Sequence, residues 1–354
     1  MANLTYHEQK DIENREKLRR LLSELPPYVK TFFIGIEPTT ESRTRIAYAT
    51  DLKNFFEYLH DANPSLKDAT LRDIPLSVLD ALTAADIEEY LDHLKLYIKD
   101  GKKVTNNERG LKRKLSSLRT FYHYLSKHSM ITDNPLPLVD TPKLHEKNIV
   151  RLEVNEVAEL LDVVESGETL SEPQQARHEK VKERDLAIVT LLLGTGIRVS
   201  ECVGLDIKDI DFENDRVRII RKGGSEAMVY FGEEVREALL SYLEIRKGQA
   251  PLAGHENALF LSSRMQRISV RNVEVLVKKY SSTVTTLKKI TPHKLRSTYG
   301  TELYKETGDI YLVADILGHK DVNTTRRHYA AIDDEYRKRS ARNAVKLREK
   351  TNPK

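Results

Sequence analysis

The strongest constraint on the fold is how little of this sequence reads as sheet. Two short β-rich runs, Asp215-Arg-Val-Arg-Ile-Ile220 and Glu226-Ala-Met-Val-Tyr-Phe231, flank Lys222-Gly-Gly-Ser225. Two such runs about a Gly-Gly turn make a hairpin. Ile210-Asp211-Phe212 adds a candidate third strand. The other long apolar-periodic segments repeat at helical spacing. The expected fold is therefore mainly α with a small antiparallel β-sheet.

Helical segments fill residues 1–141. Ile12 to Leu25 ends at Pro26-Pro27, and Ser42 to Leu59 carries Ile46, Ala49, Leu52, Phe55, Phe56 and Leu59 on one face. A short helix is expected over Ser77 to Leu82. Thr83 is a good N-cap for the next one, through Ile87, Tyr90, Leu91 and Leu94. Thr105 to Leu125 follows, with Leu111, Leu115, Leu118, Phe121, Tyr122 and Leu125 as its stripe, and Asn134-Pro-Leu-Pro137 closes the domain. Residues 142–148, Pro-Lys-Leu-His-Glu-Lys-Asn, form a polar linker between two apolar-periodic regions. A second domain, 149–354, is expected to hold helices at Asn155 to Val164, Arg184 to Leu193, Val199 to Val203, Glu233 to Arg246 and Val270 to Tyr280. Further helices are expected at Leu295 to Thr307, Tyr311 to Leu317 and Asp333 to Arg348, and Gly167 to Glu179 is expected to be a loop.

Composition excludes several classes. The single cysteine, Cys202, allows no intramolecular disulfide and no cysteine-based zinc site. The longest apolar run, Leu186 to Leu193, is far short of the ~20 residues that span a bilayer. The N-terminus lacks the basic and apolar regions of a signal peptide. A soluble cytoplasmic protein is expected, with no membrane partner. Against 54 acidic residues stand 58 basic ones, a net charge of +4 that permits a nucleic-acid partner without requiring one.

Four pieces of the second domain put polar groups where packing alone would not ask for them. In Gly194-Thr-Gly-Ile-Arg198-Val-Ser-Glu201 an arginine stands at a helix N-terminus, the end that favours anions, with Glu201 one turn on. Lys222 sits at the hairpin tip. His293 and Arg296 lie three apart in Thr291-Pro-His-Lys-Leu-Arg296, a spacing that puts an imidazole and a guanidinium on one face, as a phosphate would require. Leu317-Gly-His319 ends another helix, and Tyr329 follows ten positions later. Taken singly, each has an ordinary reading: a surface ion pair, a solvated turn lysine, helix decoration, a half-buried aromatic.

The set in order, Arg198, Lys222, His293, Arg296, His319 and Tyr329, resembles the signature of the tyrosine site-specific recombinases, the integrase family. Tyr48-Ala-Thr-Asp-Leu-Lys-Asn-Phe-Phe-Glu-Tyr-Leu59 and Lys114-Leu-Ser-Ser-Leu-Arg-Thr-Phe-Tyr-His-Tyr-Leu125 are similar to that family's core-binding domain. Ile74-Pro-Leu-Ser-Val-Leu79, Lys182-Glu-Arg-Asp-Leu-Ala-Ile188 and Arg221-Lys-Gly-Gly224 are similar to the single-recombinase Xer proteins of Gram-positive bacteria. The resemblance implies a helical core-binding domain that clamps DNA, followed by a mixed α/β catalytic domain with a C-terminal exchange helix.

The implied reaction cuts and rejoins double-stranded DNA through a 3′-phosphotyrosine and a Holliday junction, without metal or other cofactor. Tyr329 is the implied nucleophile, and Arg198 and Arg296 clamp the scissile phosphate. His319 adds a hydrogen bond, His293 accepts the tyrosine proton or holds the phosphate, Lys222 protonates the leaving 5′-oxygen, and Glu201 supports Arg198. The implied partners are a homotetramer on two DNA sites and a septal DNA translocase, with chromosome dimers resolved at a dif-like site. Two departures, Ser297 after Arg296 and a His319-to-Tyr329 spacing one residue longer than in most Xer proteins, keep open an integrase of a phage or conjugative element. A catalytically inactive DNA-binding regulator is a further alternative. Charge placement makes Arg43, Arg45, Lys112, Arg113, Arg119, Arg271 and Lys278 candidates for DNA contact, together with Lys114 and Lys279.

Overall fold

The computed structural model describes residues 5–143, 150–221, 223–319 and 322. The chain divides into two compact units, Met1–Lys147 and Asn148–Lys354. The first contains α1 (Tyr6–Ser23), α2 (Pro27–Ile36), α3 (Ser42–Ala62), α4 (Leu76–Asp80) and α5 (Ala84–His93). The strands β1 (Leu96–Lys99) and β2 (Lys102–Thr105) follow, and then α6 (Glu108–Lys127). The expected stripes of α3 and α6 both face inward. Phe55 and Phe56 of α3 and Phe121 of α6 are fully buried with Phe32 of α2, and the Phe32 and Phe121 rings meet edge to face at 5.1 Å. Thr83 caps α5 as expected, in a reciprocal box with Asp86.

Two features of this unit depart from the sequence reading. Pro27 does not only end a helix; it stands at the first turn of α2, where its fixed φ and missing N–H cost nothing. Residues 96–105, within a region expected to be helical, form a hairpin. Asp100 and Gly101 take φ of 49° and 72°, the left-handed pair that a tight two-residue turn needs, and Lys99 pairs with Lys102. Helix α6 consequently starts later than Thr105, capped by Asn107.

The second unit contains α7 (Val154–Ser166), α8 (Glu172–His178), α9 (Lys182–Thr195), α10 (Val199–Gly204), β3 (Ile210–Asp211), β4 (Arg216–Ile220) and β5 (Glu226–Tyr230). It continues with α11 (Glu233–Lys247), α12 (Val270–Val284), α13 (Pro292–Thr307) and α14 (Ile310–Leu317). The expected hairpin is β4–β5, and β3 joins it antiparallel in the order β3-β4-β5. Helix α9 is the central element, buried at Ala187, Ile188, Val189, Leu191 and Leu192, with α7, α11 and α13 packed around it. The segment expected to be a loop holds α8. His178 at its end is buried and hydrogen-bonds the Tyr280 hydroxyl at 3.0 Å, which in turn donates to Asp185 at 2.8 Å. That network fixes a polar segment whose pattern gives no helical stripe. No helix among the described residues is long and apolar enough to cross a membrane.

Candidate active site

The site is built at the carboxyl end of α9. Gly196 stops that helix at φ 63°, and a Cβ there would lie 2.3 Å from Cδ1 of Tyr299. Only glycine satisfies both the backbone and the contact. The chain then turns into α10 with Arg198 at the N-cap. Glu201 binds Arg198 twice: its carboxylate accepts from the backbone N–H at 2.7 Å and from Nη1 at 2.8 Å. The Glu201 side chain is only 3% exposed, so this is a buried brace rather than a surface ion pair. It fixes the guanidinium while leaving part of it open to solvent.

Arg296 approaches the same place from α13. It is buried, and its guanidinium donates to the Gly196 carbonyl at 2.6 Å and to the Leu317 carbonyl. His293, one turn earlier, is exposed at the first turn of α13. Gly318 closes α14 at φ 62° in a Schellman motif. Its N–H donates to the Asp315 carbonyl, and the His319 N–H donates to the Ala314 carbonyl. The next three carbonyls accept from arginines. Ile316 receives Arg221 Nη2 at 2.9 Å, Leu317 receives Arg296, and Gly318 receives Arg198 Nη2 at 3.1 Å. Three guanidiniums thus gather at the negative end of one helix dipole, beside His319. The chain brings Arg198, Glu201, Arg296 and the backbone at His319 together. Lys222, Tyr329 and the segment Asp333 to Arg348 lie outside the described residues.

Arg221 is the member that sequence reasoning missed. It precedes Lys222, yet its acceptors lie 94 and 95 positions away, at Asp315 and Ile316. No local pattern marks such a contact. Two other nucleophilic side chains of this unit, Tyr299 and Cys202, are disfavoured by their surroundings. Tyr299 packs on Gly196, and burial raises its hydroxyl above the ordinary tyrosine range. Burial likewise pushes the Cys202 thiol up to about 12, which leaves it inert.

The basic residues expected on DNA divide into two groups. Arg45 is not available: its side chain is 6% exposed and pairs with Glu37 at 2.9 Å. Arg119 donates to the Thr141 hydroxyl at 2.7 Å and to the Val139 carbonyl at 2.6 Å, so it ties α6 to the segment after it. Arg113 and Lys114 both close on the buried Asp51, and Lys279 lies over the Tyr280 ring at 3.7 Å while reaching Asp185. The ammonium groups of Lys114 and Lys279 are thereby spent on buried carboxylates, while the Arg113 side chain remains 49% exposed. Arg43, Lys112, Arg271 and Lys278 are exposed.

Comparison with known proteins bears on the whole chain. Residues 150–336 match the Phage integrase family, and residues 29–128 match the phage integrase N-terminal SAM-like domain. The chain is similar to the tyrosine recombinase XerC of Caldanaerobacter subterraneus, with 31% identity covering 87% of this chain and 84% of that protein. It is similar to the tyrosine recombinase XerS of Lactococcus lactis, with 31% identity covering 92% and 96%, and to that of Streptococcus mutans, with 32% covering 90% and 96%. Its fold is similar to the Tn1549 transposon integrase in complex with transposon right end DNA, with a TM-score of 0.63 and 22% identity over 89% of this chain and 99% of that one. It is also similar to XerH recombinase bound to a palindromic difH substrate, with a TM-score of 0.62 and 21% identity over 85% and 79%. With both of its units matched and its relatives aligned along nearly their full length, the chain belongs to the phage integrase family, among the Xer-like tyrosine recombinases.

Proposed function

We propose that this recombinase cuts and rejoins duplex DNA by direct phosphoryl transfer to Tyr329. The observation that carries the reading is the convergence of Arg198 and Arg296 on one helix end beside His319, two fork-shaped cations braced by Glu201 and by backbone carbonyls. Such a preorganised pair suits the non-bridging oxygens of a phosphodiester, where charge builds in the transition state. Tyr329 Oη attacks phosphorus and loses its proton to His293. The P–O5′ bond breaks, a 3′-phosphotyrosyl ester forms, and Lys222 protonates the departing 5′-oxygen. The bond energy stays in the ester, so attack by a 5′-hydroxyl from a second duplex rejoins the strand and builds a Holliday junction.

Four protomers on two sites, coupled through the C-terminal segment, would give the alternating activity that such an exchange needs. The similarity to XerS proteins along more than 90% of their length favours resolution of chromosome dimers at a dif-like site, with a septal translocase as partner. Integration of a mobile element is the second reading, favoured by the ten-residue spacing from His319 to Tyr329. The decisive experiment is Tyr329→Phe on a nicked suicide substrate. The variant binds duplex DNA and yields no covalent adduct on a denaturing gel; an adduct at the wild-type level rejects the assignment. Recombination on paired dif-like sites, against paired element ends, separates the two biological readings.

A further inference from the structure

We propose that Arg221 is a positioning residue for the reaction: it ties the turn that carries Lys222 to the carboxyl end of α14, and so sets where the proton donor stands. The inference rests on the reading of Lys222 as the acid that protonates the 5′-oxygen. Its basis is the way the hairpin is held. The Arg221 N–H donates to the Ser225 carbonyl at 2.8 Å, and the Gly224 N–H donates back to the Arg221 carbonyl at 3.0 Å, so Arg221 is the last paired residue before the turn. Gly223 and Gly224 take φ of 95° and 85°, and among the described residues no heavy atom stands within 4 Å of where their Cβ atoms would be. The turn itself is therefore not packed against anything described.

The anchor is the Arg221 side chain. Nη1 donates to the Asp315 carbonyl at 3.1 Å and Nη2 to the Ile316 carbonyl at 2.9 Å. A planar fork is the one side-chain shape that spans two successive carbonyls in this way. The guanidinium is seated closely enough that its Nε is shut off from solvent, and a Cβ on Gly318 would lie 2.1 Å from Nη1. Gly318 is thus needed for the left-handed helix end and also for the arginine's seat. Lys222 follows Arg221 directly in the chain. Arg198 and Arg296 rest on the neighbouring Gly318 and Leu317 carbonyls, so one helix end serves as the common reference for the phosphate clamp and for the acid.

The test exploits the leaving group. In a suicide substrate whose 5′-bridging oxygen is replaced by sulfur, the P–S bond breaks and a thiolate departs. A thiol is about seven pKa units more acidic than water, so no proton donor is needed. Single-turnover cleavage of the oxygen and sulfur substrates is measured for wild type, Arg221→Ala, Arg221→Lys and Lys222→Ala. Misplacing an acid costs about 10- to 100-fold. Arg221→Ala is expected to lose that much on oxygen and to cleave the sulfur substrate within about threefold of wild type, as Lys222→Ala does. Arg221→Lys, which keeps the charge but offers one ammonium to two carbonyls, is expected to show the same rescue from a smaller loss. If Lys222→Ala is rescued by sulfur and both Arg221 variants are not, Arg221 acts through the fold or the phosphate clamp and the proposal is overturned while the acid assignment stands. Wild-type cleavage of the oxygen substrate by Arg221→Ala overturns it as well. If sulfur fails to rescue Lys222→Ala, the acid assignment fails and the proposal falls with it.

Discussion

Arg296→Ala tests whether one side chain both clamps the phosphate and holds the domain together. Arg296 is 5% exposed and donates to the carbonyls of Gly196 and Leu317, the ends of α9 and α14. Alanine removes the donor to both carbonyls. Each buried acceptor left unsatisfied costs about 1–3 kcal/mol, so the catalytic unit should lose about 2–6 kcal/mol. For a unit of this size ~2–4 °C accompanies each kcal/mol, which puts the fall in its melting midpoint at roughly 4–24 °C. Catalysis loses a preorganised donor as well, typically ~10²–10³ in rate. The assay is thermal unfolding followed by single-turnover cleavage at a temperature where the variant is fully folded, with DNA binding scored by gel shift. A midpoint within about 1 °C of wild type would refute the role of the two carbonyls, since even one unsatisfied acceptor exceeds that. A folded, DNA-bound variant that cleaves within a few-fold of wild type would show that Arg296 is structural only.

Asp51→Ala should destabilise the first unit by about 3–5 kcal/mol, because it strands the buried Lys114 ammonium and releases Arg113 and Ser117; urea unfolding measures it. Lys112→Ala and Lys278→Ala, at exposed positions, should each weaken binding to any duplex and reduce the slope of log K against log salt by about 1, whereas Arg45→Ala should leave that slope unchanged. Truncation after Ile332 should leave single-site binding intact and abolish tetramer assembly on paired sites. Recombination at the full-length rate would show that the C-terminal segment is dispensable.

What the residues determined by themselves is local. The stripes of α3 and α6, the Thr83–Asp86 cap, the Gly-Gly turn of β4–β5 and the glycine ends of α9 and α14 all arise from chemistry within about four positions, which a sequence states directly. The Asp100-Gly101 turn is equally local, an Asp-Gly pair of the kind that closes tight hairpins, inside a region whose overall pattern reads as helical. The order of Arg198, Arg296 and His319 was in the sequence; their convergence was not. Only packing decided that Arg45 and Arg119 would spend their donors inside the protein, that Asp51 would collect Arg113 and Lys114 from 62 and 63 positions away, and that Arg221 would reach α14 across 94 residues. The reason is physical: a charged side chain looks the same in a sequence whether water, a carbonyl or a phosphate meets it. The free energy that chooses among them depends on burial and on partners that the folded chain brings close.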